Sequence, residues 1–300
     1  MRMLAAYFFL LAAATAGAGA LTGQSHSEAL TPSPGETYYS VHNLRPAHGI
    51  TLGRGAKVGI IDHSFGLDSH PELYHGGHVF SHRISVRRDQ GESHRGYWMA
   101  LALHEVAPEA EIYPLILPSQ DERPLVEAIV EALDWAVEHD LDVVTYCGGH
   151  FSEADREHLD RAVDRTVEAG VVVVFLGYSH PLNLLPGAFG TLREQHERAP
   201  DLHIFSHDCA AILADAVVGL AETDDDAIQR RRPFLGRPNA ATITAGFVAL
   251  LRSVDPTATP GKIKTVLVDS SRPMEYRGLS AARVPDAFRA VSSVSGLGPV

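Results

Sequence analysis

Lys57-Val58-Gly59-Ile60-Ile61-Asp62, running on through His63-Ser64-Phe65-Gly66-Leu67-Asp68 to His70-Pro71-Glu72-Leu73, is the stretch that decides how this chain folds. After Lys57 the run carries no charge until Asp62, the pattern of a strand buried on both faces, and such strands belong to parallel sheets. Asp62 then stands at the carboxyl end of its strand, where open α/β sheets bind their ligands. Runs of the same kind recur at Glu111 to Leu117, Asp142 to Tyr146 and Val171 to Leu176. Helical spacing separates them. Pro124 to His139 aligns Val126, Ile129, Val130, Leu133 and Val137 on one face, and Glu153 to Ala169 aligns Leu159, Ala162, Val163 and Val167. Gly170 sits where a left-handed helix stop is expected. This alternation predicts right-handed crossovers and a three-layer α/β fold, a mainly parallel sheet with helices on both faces.

The composition suits one globular domain, at 45% apolar and 21% charged residues over 300 positions. With 25 basic against 37 acidic residues the formal charge is −12. That balance repels phosphate backbones, and the one dense basic run, Arg230 to Arg232, follows the acidic Asp224 to Asp226, so no nucleic-acid partner is expected. The first twenty residues combine Arg2, an apolar core from Leu4 to Ala14 and a small-residue pattern ending at Ala20, which predicts a secretory signal over 1–20, cut near Ala20. Residues 21–37 read as a flexible leader and 38–300 as the domain; no later run is long enough to span a membrane without charges. Cys147 and Cys209 are left as one bridge or none.

Asp62, Gly66, Leu67, Asp68 and His70-Pro71-Glu72-Leu73, in this order, resemble the first motif of the subtilisin-like serine peptidases, the subtilases. The resemblance covers about residues 38 to 292 and implies the three-layer subtilisin-like fold, with Asp62 orienting a catalytic histidine. For that histidine the family pattern is His-Gly-Thr-His at the start of a buried helix. His75-Gly76-Gly77-His78-Val79 is closer in letters, but Phe80-Ser81-His82-Arg83 follows it as extended chain. His94 begins a small and apolar helical run and is taken as the triad position, although Arg95, Tyr97 and Trp98 are bulkier than the family's residues. The same resemblance puts Cys147, Gly148 and Gly149 on the strand edge that binds substrate. It puts Tyr178 where the family has its oxyanion-binding asparagine. Gly236, Ala240, Ala241, Ala245, Gly246, Ala249, Leu250 and Leu251 match the nucleophile segment and set Pro238 at the serine position. Ser280, in Gly278-Leu279-Ser280-Ala281-Ala282, imitates the motif without the long apolar helix that should follow.

What this implies is a secreted, catalytically inactive relative of serine-type endopeptidases that binds a peptide or protein and needs no cofactor. The competing enzyme is a hydrolase with a displaced nucleophile, Cys147, activated by His94. A zinc site from His75, His78 and His82 has the ligand types but no common helical face. Oligomeric state and calcium binding are left open.

Overall fold

The structure is a computed structural model and describes residues 42–68, 70–80, 95–118, 125–147, 151–175, 178, 202–204, 211–213, 217–218, 233–234, 237–276 and 279–296. The expected signal and leader lie outside these residues. Five strands, β1 (Lys57–Asp62), β2 (His78–Val79), β3 (Glu111–Ile116), β4 (Val143–Tyr146) and β5 (Val172–Phe175), form one parallel sheet in the order β2-β3-β1-β4-β5. Around it stand α1 (Leu44–His48), α2 (Arg95–Val106), α3 (Leu125–Glu138), α4 (Glu153–Glu168), α5 (Arg237–Val254), α6 (Pro260–Ser270) and α7 (Ala287–Val294). Three two-stranded antiparallel pairs are separate from this sheet: β6 (Leu202–Ile204) with β7 (Ala211–Leu213), β8 (Val217–Val218) with β9 (Pro233–Phe234), and β10 (Arg272–Tyr276) with β11 (Leu279–Val284). Ser280 is therefore on a strand of an antiparallel pair and not at the head of a helix.

Alternation along the strands divides the core in two. Val58, Ile60, Ile112, Val143 and Val174 pack against Met99 and Leu103 of α2 and Ile243, Phe247 and Leu251 of α5. Ile61, Leu115, Val144, Val173 and Phe175 pack against Ile129 and Leu133 of α3 and Leu159 and Val163 of α4. Each such side chain contributes about 1.5–3 kcal/mol by leaving water, which is why strands this short persist. The expected apolar faces of α3 and α4 are the buried ones, with one exchange. Val137 and Val167 are only partly buried, while Thr166 is fully buried and donates its hydroxyl to the Ala162 carbonyl at 2.8 Å. Satisfied within its own helix, a threonine can occupy the core.

From β1 the chain moves to one side of the sheet for β2 and β3, then crosses to the other side for β4 and β5. The strand order thus reverses between β1 and β4, and the carboxyl ends of these strands are where the ligand crevice of an open α/β sheet lies. Helix α5 packs across β1, β4 and β5, and α2 packs along α5 beside that crevice.

Candidate functional site

Asp62 closes β1 with only 2% of its surface exposed. A carboxylate so placed needs donors, and both its oxygens have one: Oδ1 accepts from the His63 N–H at 2.7 Å and Oδ2 from the Arg95 Nε–H at 2.6 Å. Arg95 is the first residue of α2. What holds it there is the glycine behind it. The Gly96 N–H donates to the Ser64 carbonyl at 2.9 Å, and a Cβ on Gly96 would lie 2.6 Å from that oxygen and 2.7 Å from the Phe65 ring. The first turn of α2 therefore presses directly on the chain leaving β1, and the preceding side chain reaches Asp62. Burial works against the Arg95 charge, but attraction to Asp62 and the hydrogen bond to it, aided by Cys147 and Tyr146, outweigh burial and hold the guanidinium above its ordinary value.

Ile61 lies opposite Tyr146 in the sheet, so Asp62 and Cys147 are the next residues on the two adjacent strands. Cys147 is 6% exposed and is in no disulfide. Tyr146 is 2% exposed; burial pushes its hydroxyl well above the usual range, with Arg95 pulling the other way and Asp62 and Cys147 adding to the rise. Asp62, Arg95, Tyr146 and Cys147 thus share one electrostatic neighbourhood at the crevice.

His94, Gly148, Gly149, His82 and Cys209 lie outside the described residues. Tyr178 is 4% exposed, and its hydroxyl donates to Asp160 on α4; burial, then Asp160, raises it well above the usual tyrosine range. Pro238 is the second residue of α5, in a first turn whose missing N–H costs the helix nothing. His78 lies on β2 with its ring 4.6 Å from Phe80, and the His75 N–H donates to the Ile112 carbonyl at 2.9 Å. Among the described residues no group of three or more His, Cys, Asp or Glu side chains could hold a metal ion. Arg95 is not among the residues that the sequence singles out for the site, and the signal for it was Gly96, whose close approach to Ser64 sets Arg95 against Asp62.

No family model matches the chain. Over 156 residues it is 27% identical to the minor extracellular protease Epr of Bacillus subtilis, a match that covers 47% of this chain and 23% of that protein, so the chain spans about a quarter of its curated relative. Among solved structures, a lanthipeptide protease matches with a TM-score of 0.60 at 14% identity, covering 85% of this chain and 94% of that one. A protease of Pseudoalteromonas arctica matches with a TM-score of 0.58 at 16% identity, covering 84% and 94%. MycP1 of Mycobacterium smegmatis matches with a TM-score of 0.54 at 13% identity, covering 87% of each chain. The fold of this chain is that of the subtilisin-like serine proteases, as the first motif implied. No described helix is long and apolar enough to cross a membrane.

Proposed function

We propose that this chain, with the fold of subtilisin-like serine proteases, is a secreted member that holds a peptide or protein segment in its cleft without cutting it. The observation that carries the proposal is the Arg95–Asp62 contact at 2.6 Å. In a serine peptidase the aspartate steers an imidazole that takes the proton of the nucleophile. A guanidinium has five donors, no acceptor, and stays charged, so it cannot act as that base. Aligning Arg95-Gly96 with the family's His-Gly, one residue past His94, makes Arg95 the occupant of the histidine position. Pro238, at the serine position, supplies no attacking oxygen. Tyr178 adds a third loss, its hydroxyl being engaged by Asp160, and one missing oxyanion donor costs about 3 to 4 kcal/mol of transition-state stabilisation. The segment Cys147, Gly148 and Gly149, which follows β4 in the chain, is where the resemblance would have a peptide add as a strand. Secretion rests on the signal pattern over 1–20 and on a relative named as an extracellular protease.

One observation favours a second reading, a cysteine hydrolase. Cys147 is in no disulfide and lies within the electrostatic reach of Arg95, and a nearby cation favours the thiolate. Against it stands the thiol's burial.

The test exposes the protein, from residue 21 onward, to a fluorophosphonate probe, to iodoacetamide at mildly acidic pH and to casein. The expected result is no serine labelling, slow alkylation of Cys147 and intact casein; Pro238→Ser alone stays inert because Arg95 still faces Asp62. Stoichiometric labelling of a serine would end the proposal. Fast alkylation of Cys147 that slows about tenfold in Arg95→Gln, about 1.4 kcal/mol, would establish the cysteine reading instead.

A further inference from the structure

We propose that the cleft selects a ligand bearing a single carboxylate and that Arg95 is the residue that selects it; this rests on the peptide-binding reading above. Asp62 engages Arg95 through Nε alone, at 2.6 Å, and among the described residues the other guanidinium nitrogens make no hydrogen bond. That one contact fixes the plane of the side chain. A guanidinium fixed at Nε offers its two terminal nitrogens as a fork, the geometry that a carboxylate accepts bidentately. The exposures of the pair are unequal, 35% for the Arg95 side chain and 3% for Asp62, so the cation is the member of the pair that a ligand can reach.

Arg95 also opens α2, a helix of 12 residues whose first-turn N–H groups carry about half a positive charge.

The opposing charges set the size of the ligand's charge. Asp62 already neutralises Arg95, and the chain as a whole carries −12. A polyanionic tract would therefore be repelled over distances of about 10 Å at ordinary salt, while one carboxylate seated on the fork gains a short, charge-assisted contact. The ligand class is a peptide with one carboxylate at the crevice, from an aspartate or glutamate side chain or from a free C-terminus.

Fluorescence polarisation with three labelled decapeptides of alanine and serine tests this. One is blocked at both ends with a central Glu, one is blocked with a central Gln, and one has the central Gln and a free C-terminal carboxylate. The expected result is that a carboxylate-bearing peptide binds about tenfold tighter than the blocked Gln peptide, with Glu against free C-terminus telling which source is used. The preference should vanish in Arg95→Gln. It should also vanish in the paired variant Asp62→Asn with Arg95→Gln, which leaves no buried carboxylate unpaired if the single variant unfolds. Equal binding of all three peptides by the wild type, or a preference that survives loss of Arg95, would overturn the inference and leave peptide binding standing. Binding of none of them would overturn both.

Discussion

Arg95 and Arg252 stand at opposite ends of the same parallel sheet, and each faces an aspartate, Asp62 at the carboxyl end of β1 and Asp142 just before β4. At the carboxyl end the two groups are 2.6 Å apart, and attraction outweighs burial, so Arg95 is held above its ordinary pKa. At the amino end the separation is 3.8 Å, burial outweighs attraction, and both partners are pushed toward neutrality, Arg252 downward and Asp142 upward. Arg252 makes its hydrogen bonds elsewhere, through Nη1 to the Pro256 carbonyl at 3.0 Å and through Nη2 to the Gly170 carbonyl at 2.5 Å. Its donors tie the end of α5 to the turn before β5. The same residue type is thus a main-chain clamp at one end of the sheet and an accessible, charged group at the other, and the difference follows from what else each guanidinium must satisfy.

The largest expected effect tests the clamp. Arg252→Met should lower the unfolding free energy by about 3 kcal/mol in urea, because it removes a buried side chain, leaves the half-buried Asp142 without the cation facing it and takes the donors from the Pro256 and Gly170 carbonyls. The paired variant Asp62→Asn with Arg95→Gln, which leaves no buried carboxylate unpaired, should cost less, since the Arg95 side chain is about a third exposed and its hydrogen bond goes to Asp62 rather than to the main chain. A larger loss from this pair than from Arg252→Met would invert the comparison.

His42 belongs with the clamps, and it makes the distinction visible in pH. It is fully buried, its Nδ1 bonds the Pro285 carbonyl at 2.7 Å, its ring meets Phe247 edge-on at 5.2 Å, and Nε2 has no partner. The charged groups about it are Arg272 and Asp286, themselves paired at 3.2 Å. Burial lowers its pKa from 6.5 to about 4, against the Pro285 hydrogen bond and with Arg272 adding to the fall. The folded state therefore disfavours the proton: this stabilisation is complete above about pH 6.5 and is lost as pH falls from there to about 4, amounting to about 3 kcal/mol. Urea unfolding at about pH 7.5 and pH 4.5 should show a wild-type loss larger than that of His42→Gln by about 2–3 kcal/mol. Parallel curves would remove His42 from the clamps.

Asp62→Asn probes the carboxyl end with a smaller expected change, about 2 kcal/mol, because the amide oxygen still accepts from Arg95 while its NH2 group takes the place of the oxygen that accepted from the His63 N–H. Far-UV circular dichroism should be unchanged. A loss as large as that of Arg252→Met would mark Asp62 and Arg95 as a clamp too.

The clamps and the accessible end were unequally legible in the sequence. β1 and β4 emerge from their uncharged runs to within a residue, and the helix stop at Gly170 has the left-handed φ of 97° that its position required. Runs of this kind are local, so local pattern suffices. Asp62 at a strand end is equally local. Arg95 was not, because its role depends on how closely Gly96 approaches Ser64, a contact between segments 32 residues apart that no periodicity reports. The partners of Arg252, on Pro256 and Gly170, and the acceptor of Tyr178, on α4, are likewise fixed by packing of separate elements.

Tyr178 gives the smallest expected effect and the sharpest test of the division between the two ends. By position it stands just beyond β5, at the carboxyl end with Arg95. By bonding it resembles Arg252, since its hydroxyl is engaged by Asp160 and its ring packs at 6.1 Å from both Phe151 and Phe175. If engagement rather than location decides the role, Tyr178→Phe should cost about 1 kcal/mol, the usual net value of one hydrogen bond, and leave the affinity for carboxylate-bearing peptides unchanged. Denaturant midpoints and fluorescence polarisation on the same preparation measure both quantities. A fall in peptide affinity with no loss of stability would place the Tyr178 hydroxyl in the crevice, and location would then outrank engagement at this end of the sheet.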